Sequence, residues 1–127
     1  MLRNPDGRLA VVRTPLGLFL PGGGQQGGEP PEQAALRELK EECGLLADLA
    51  GRIGVADEFV FSEAEATHFA KRSTFFRARE AGAVGSPEPD HALLWIYPDE
   101  AEARLAHGSH RWAVRSERLA REGGAAI

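Results

Sequence analysis

Three glutamates, Glu38, Glu41 and Glu42, stand at i, i+3 and i+4 within the segment PEQAALRELKEECG. If that segment is helical, their carboxylates are neighbours on one face. Three like charges so placed repel by a few tenths of a kcal/mol per pair, and Lys40 falls on another side of the helix. A bound cation is the simplest reason to keep them together. Clustered carboxylate oxygens suit a hard ion, Mg²⁺ or Mn²⁺. Taken alone, ELKEE would be an ordinary solvated face, and the glycine-rich loop before it, Gly22 to Gly28, an ordinary connection.

These carboxylates need a rigid support. Pro31 to Cys43 reads as a helix, with Pro31 at the first position and Gly44 just past the end. Its apolar stripe is Ala35, Leu36, Leu39 and Cys43. Upstream, Asn4 to Gly7 is a turn, Arg8 to Arg13 a strand, and Leu18 to Leu20 a short strand stopped by Pro21. Downstream, Leu45 to Val55, Asp57 to Phe61 and Thr67 to Arg79 have strand-like content with blurred alternation. Ala81 to Asp90 reads as a loop, Ala92 to Tyr97 as a buried strand, and Asp99–Ala106 and His110–Glu122 as closing helices, with a frayed end after Gly123. Strands interleaved with helices indicate an α/β sandwich in one domain, residues 1–127.

Gly23, Glu29, Arg37-Glu38-Leu39, Glu41-Glu42 and Gly44-Leu45 stand at the spacing GX5EX7REUXEEXGU, U being aliphatic, and so resemble the complete box of the Nudix hydrolase family, MutT-like proteins. Seven fixed identities at about 7% background usage coincide by chance at roughly 10⁻⁸ per start position. Leu20-Pro21-Gly22-Gly23 also looks like the family's approach to the box. The resemblance implies an α/β/α sandwich with a mixed sheet. It implies metal-dependent cleavage of a phosphoanhydride in a nucleoside diphosphate linked to another moiety. Glu38, Glu41, Glu42 and the backbone carbonyl of Gly23 would be the metal ligands. Glu29 and Arg37 would form a structural salt bridge, and Arg37 would also orient the glutamates. The general base stays open between Glu38 and two residues of a distal loop, Glu88 and Asp90, whose plain reading is as polar neighbours of Pro87 and Pro89.

The chain departs from the family pattern in two places. Pro30 replaces the usual Ser or Thr cap, a loss of about 1 kcal/mol that Pro31 partly offsets. Only Met1-Leu2-Arg3 precede the NPDG turn, so either the given start is internal or the sheet has a trimmed edge. An exposed sheet edge there would tend to pair, which makes a homodimer the expectation. A non-catalytic nucleotide-sensing module is the rival reading; such modules usually lose a box glutamate, and this chain keeps all of them.

The other polar and aromatic residues say less. Lys71 or Arg72 could reach a substrate phosphate, or be exposed strand charges. His68, His91, His107 and His110 show no metal-ligand spacing and read as structural, and Trp95 and Trp112 read as core. Cys43 is expected to be an inert buried thiol and excludes an internal disulfide. The markers of the ADP-ribose, diadenosine polyphosphate, coenzyme A and NADH branches are absent. This leaves a small-molecule nucleotide substrate, a nucleoside triphosphate or small derivative. A net charge of −4 argues against duplex nucleic acid, and no apolar run or leader-like segment points to a membrane, so a cytoplasmic location is expected.

Overall fold

The computed structural model describes residues 1–22 and 27–125. β2 (Leu9–Thr14) is apolar on both faces, as suits a strand covered on both sides. Leu9 and Val11 enter one core with Leu20, Phe75 and Val114; Ala10 and Val12 enter another with Leu2, Leu39, Cys43 and Ala78. The mixed sheet therefore lies between two helical layers, with α1 (Pro31–Cys43) on one face and α2 (Pro98–Arg104) with α3 (Gly108–Ala125) on the other. This is the α/β/α sandwich expected.

β1 (Leu2–Arg3) pairs antiparallel with β2 at Leu9 and parallel with β5 (Thr67–Ala83) at Ala78 and Arg79. β3 (Gly17–Phe19) pairs with the far end of β2, and β6 (Ala92–Ile96) runs antiparallel along β2's other side. β4 (Leu45–Ser62) and β5 form one long hairpin. This first strand is two residues long, and it is not an edge. It sits inside the sheet, and the premise from which a homodimer was expected does not hold. Beyond this strand a slot separates β3 from β5, with no ladder between them among the described residues.

Four sequence expectations change. The segments 45–55 and 57–61 are a single strand, because register shifts at Leu46/Ala47, Leu49/Gly51 and Arg52/Gly54 scramble the alternation without ending the pairing. β5 continues to Ala83, so the following loop is shorter than 81–90, and α3 runs past Gly123 to Ala125. Trp112 is 40% exposed instead of buried: its ring lies over Gly54, where a Cβ would come within 2.9 Å of it. Trp95 packs, half-buried, against the α1-side core.

Among the described residues, no helix is long and apolar enough to cross a membrane.

Candidate active site

α1 forms where the sequence places it. Pro31 occupies its first turn, and Pro30 precedes it in an extended conformation with no side-chain cap, as its lack of an oxygen requires. Gly44 ends it at φ 68°, its N–H returning to the carbonyls of Leu39 and Lys40. No other residue suits that position, since a Cβ there would stand 2.6 Å from the Gly85 carbonyl oxygen. That close approach lets Val84 N–H donate to Gly44 O and docks the end of the hairpin on the helix that carries the glutamates.

The buried residues of α1 are Ala34, Glu38, Leu39 and Cys43, and Ala35 and Leu36 are only half-buried. The helix is therefore turned slightly from the apolar stripe read off the wheel, bringing Glu38 inside at 9% exposure. A buried carboxylate needs partners, and Arg37 supplies one. Its NH1 lies 2.9 Å from Glu38 Oε1 and also 2.9 Å from Glu41 Oε2, while its Nε and NH2 donate to the two oxygens of Glu29 at 2.9 and 3.1 Å. The fork geometry of a guanidinium is what permits four carboxylate contacts from one side chain. Arg37 thus joins the segment before the helix to the glutamate face.

Glu42 lies on the other flank. Its Oε2 accepts the Gly22 N–H at 3.2 Å, and its carboxyl feels the neighbouring Glu38 carboxyl one turn back on the helix. Burial, then the contact with Glu38, raises the Glu42 carboxyl to about 8; the Gly22 N–H opposes this, and the charges of Glu38 and Glu88 add to it. A buried carboxyl beside a second one keeps its proton unless a cation takes its place, and that is the donor chemistry a hard divalent ion fits. Glu41 is turned to Arg37, and among the described residues no three acidic, His or Cys side chains already converge as a ligand set. Cys43, raised to about 12 by burial and by Glu42, is a protonated, inert thiol at neutral pH. Gly23, expected as a backbone ligand, lies outside the described residues.

The distal loop reaches the same end of α1. Glu88 N–H donates to Glu41 O at 3.2 Å and His91 N–H to Glu88 O at 3.1 Å, with Asp90 between them at φ 64°. Both Glu88 and Asp90 are exposed. Of the basic pair, Arg72 is held bidentately by its cross-strand partner Asp57 at 2.8 and 3.1 Å, whereas Lys71 has no such partner among the described residues.

A cavity of about 310 Å³ fills the slot between β3 and β5. At one end it reaches Glu42, Gly22 and Ala35 of α1; Lys71 and Arg72 border it; its other end is walled by Phe19, His107 and His110. The histidines are the functional candidates that sequence reasoning missed. Nothing in their spacing marks them, because the link between α2 and α3 and the first turn of α3 bring them to β3 only in the fold. Phe19 and His107 lie 5.1 Å apart between ring centroids, His107 and His110 5.0 Å, and Phe75 and His110 5.8 Å. His110 Nδ1 accepts the Leu20 N–H at 3.1 Å. Burial, then His107 and Lys71, pushes the ring down to about 4, so it is neutral at ordinary pH.

A NUDIX domain family model matches residues 1–115. No curated protein sequence matches the chain. Among solved structures, a MutT NUDIX hydrolase from Burkholderia pseudomallei is 28% identical, with a TM-score of 0.65 over 90% of this chain and 91% of that one. A NUDIX hydrolase from Nitrosomonas europaea is 18% identical, with a TM-score of 0.73 over 94% of this chain and 84% of that one. An Ap4A hydrolase from C. elegans is 16% identical, with a TM-score of 0.73 over 96% of this chain and 92% of that one.

Proposed function

From the premise that this chain belongs to the NUDIX family, whose members and structural neighbours here point to a pyrophosphohydrolase, we propose that it cleaves a phosphoanhydride bond in a nucleoside diphosphate linked to a further moiety, using Mg²⁺ or Mn²⁺. The substrate class is a nucleoside triphosphate or a small nucleotide derivative. The observation that carries this reading is one helix that holds Glu38 and Glu41 on Arg37 and brings Glu42 to the edge of a cavity of nucleotide-binding size.

Glu38, Glu41 and Glu42 would hold the metal, with the Gly23 carbonyl as the family's further ligand. Bound there, the ion would neutralise phosphate oxygens and ease proton loss from an attacking water. Arg37 holds Glu38 and Glu41 at a fixed spacing, and Glu29 fixes Arg37. Lys71 is the better placed of the basic pair to meet a substrate phosphate, since Asp57 occupies Arg72. The base is Glu38 or a residue of the distal loop. Glu88 has the stronger claim there, because its charge is felt at Glu42 and its backbone is anchored on Glu41.

A hydrolysis screen over nucleoside triphosphates and nucleotide derivatives, with and without Mg²⁺ or Mn²⁺, tests the reading. Metal-dependent turnover that is lost in Glu38→Gln supports it. Turnover lost in Glu88→Gln or Asp90→Asn at unchanged metal affinity assigns the base to the loop. Nucleotide binding without turnover would replace the enzyme reading with that of a sensor.

A further inference from the structure

We propose that the aromatic end of the slot holds the base of the nucleotide, and that His110 selects a base carrying a ring carbonyl over one carrying an exocyclic amino group at the same position. The inference rests on the nucleotide reading of the cavity and adds the chemical class of the base.

The argument begins with one hydrogen bond. His110 Nδ1 accepts the backbone N–H of Leu20 at 3.1 Å. A neutral imidazole carries one proton, so a ring whose Nδ1 accepts carries its proton on Nε2. A charged ring would set two N–H groups against each other and lose the Leu20 bond. Burial and the neighbouring His107 and Lys71 keep the ring neutral, against the weaker pull of Glu58. Nε2 is therefore a donor only. No acceptor among the described residues takes its proton, and the ring borders the cavity.

The surroundings suit a flat heterocycle. Phe19, Phe75 and His107 present ring faces and edges around His110, at centroid distances between 5.0 and 6.2 Å. The charged side chains that border the slot beside it, Lys71 and Arg72, are also donors without acceptor capacity. A base that brings an oxygen to His110 gains a bond. A base that brings an amino group sets donor against donor and leaves both unpaired in a desolvated place. Guanine against adenine and uracil against cytosine differ in this way at one exocyclic position.

The test measures kcat/KM for GTP, ATP, UTP and CTP with saturating Mn²⁺. In parallel, nitrogen NMR of the His110 ring is recorded as GMP or AMP is added to the metal-free protein. The expected result is a preference of about tenfold or more for GTP over ATP and for UTP over CTP. In the spectra, Nε2 is protonated and moves on addition of GMP but not of AMP. In His110→Phe, which remains folded by its thermal melt, both ratios should fall to near one. In His110→Gln, whose amide can still donate, they should be partly kept. Ratios near one in the wild type, or ratios unchanged in His110→Phe, would overturn the proposal. If His110→Phe does not fold, the wild-type ratios and the GMP–AMP difference decide alone. If no triphosphate is hydrolysed yet GMP binds in preference to AMP, the hydrolase reading falls and this inference stands.

Discussion

Metal binding at α1 should release a proton, and the structure says how much. In the metal-free protein, burial and Glu38 hold the Glu42 carboxyl at about 8. At pH 7 Glu42 is then largely protonated, and at pH 9 largely ionised. A cation that takes both carboxylates must displace that proton. Wild-type protein should release most of a proton per site on binding Mn²⁺ at pH 7 and much less at pH 9. Its apparent affinity should rise about tenfold per pH unit up to about 8 and then level off. Calorimetry in two buffers of different ionisation enthalpy counts the protons directly. In Glu42→Gln the release at pH 7 should vanish along with most of the affinity. Tight binding by the wild type with release below about 0.2 protons at pH 7 would refute this account. The sign carries over to stability. A carboxyl raised by folding makes the metal-free protein lose stability as pH climbs from about 4.5 through about 8, and metal should abolish that loss.

Arg37→Lys should cost about 1–2 kcal/mol in urea melts, because an ammonium cannot span Glu29 while contacting Glu38 and Glu41. Gly44→Ala should cost about 3 kcal/mol in the same measurement, combining a left-handed backbone with a Cβ against the Gly85 carbonyl. Glu117 is 3% exposed; burial raises its carboxyl, but Arg3 and Arg121 outweigh that and hold it below the usual range. Arg3→Met should therefore cost about 2 kcal/mol at pH 7. That cost should be lost as pH falls below about 4.5 and Glu117 protonates, as urea melts from pH 7 to 3 would show.

The parts of the fold that follow local rules were legible from sequence. α1 spans Pro31–Cys43 as expected because Pro31 and Gly44 are unambiguous boundary residues. β2 was legible because four consecutive apolar residues leave little choice. The hairpin was not, because its bulges shift the side-chain period, and because Phe59, at 81% exposure, is a large apolar residue that contacts no core. The box gave the glutamate face and the Glu29–Arg37 spacing. It did not give Glu38's burial, which depends on Arg37 being folded back on it. Nor could it give His110, whose neighbours Leu20 and Phe75 lie 90 and 35 positions away in the chain.

The slot has a mechanical consequence. Among the described residues the long hairpin joins the rest of the sheet through Met1, Leu2 and Arg3, and is braced by α1 at Gly44–Val84 and by Glu58 accepting the Ser109 N–H of α3. These struts, with Phe75, Leu45 and Ala78 packed in the two cores, hold one wall of the slot. Small changes at Leu2 or Glu58, distant from the glutamates, would reset the clearance between the slot's walls and change which substrate sizes fit. The glutamates, tied together by Arg37 and Glu29, would keep their spacing. The fold thereby lets the gauge of the binding slot change independently of the reaction performed beside it.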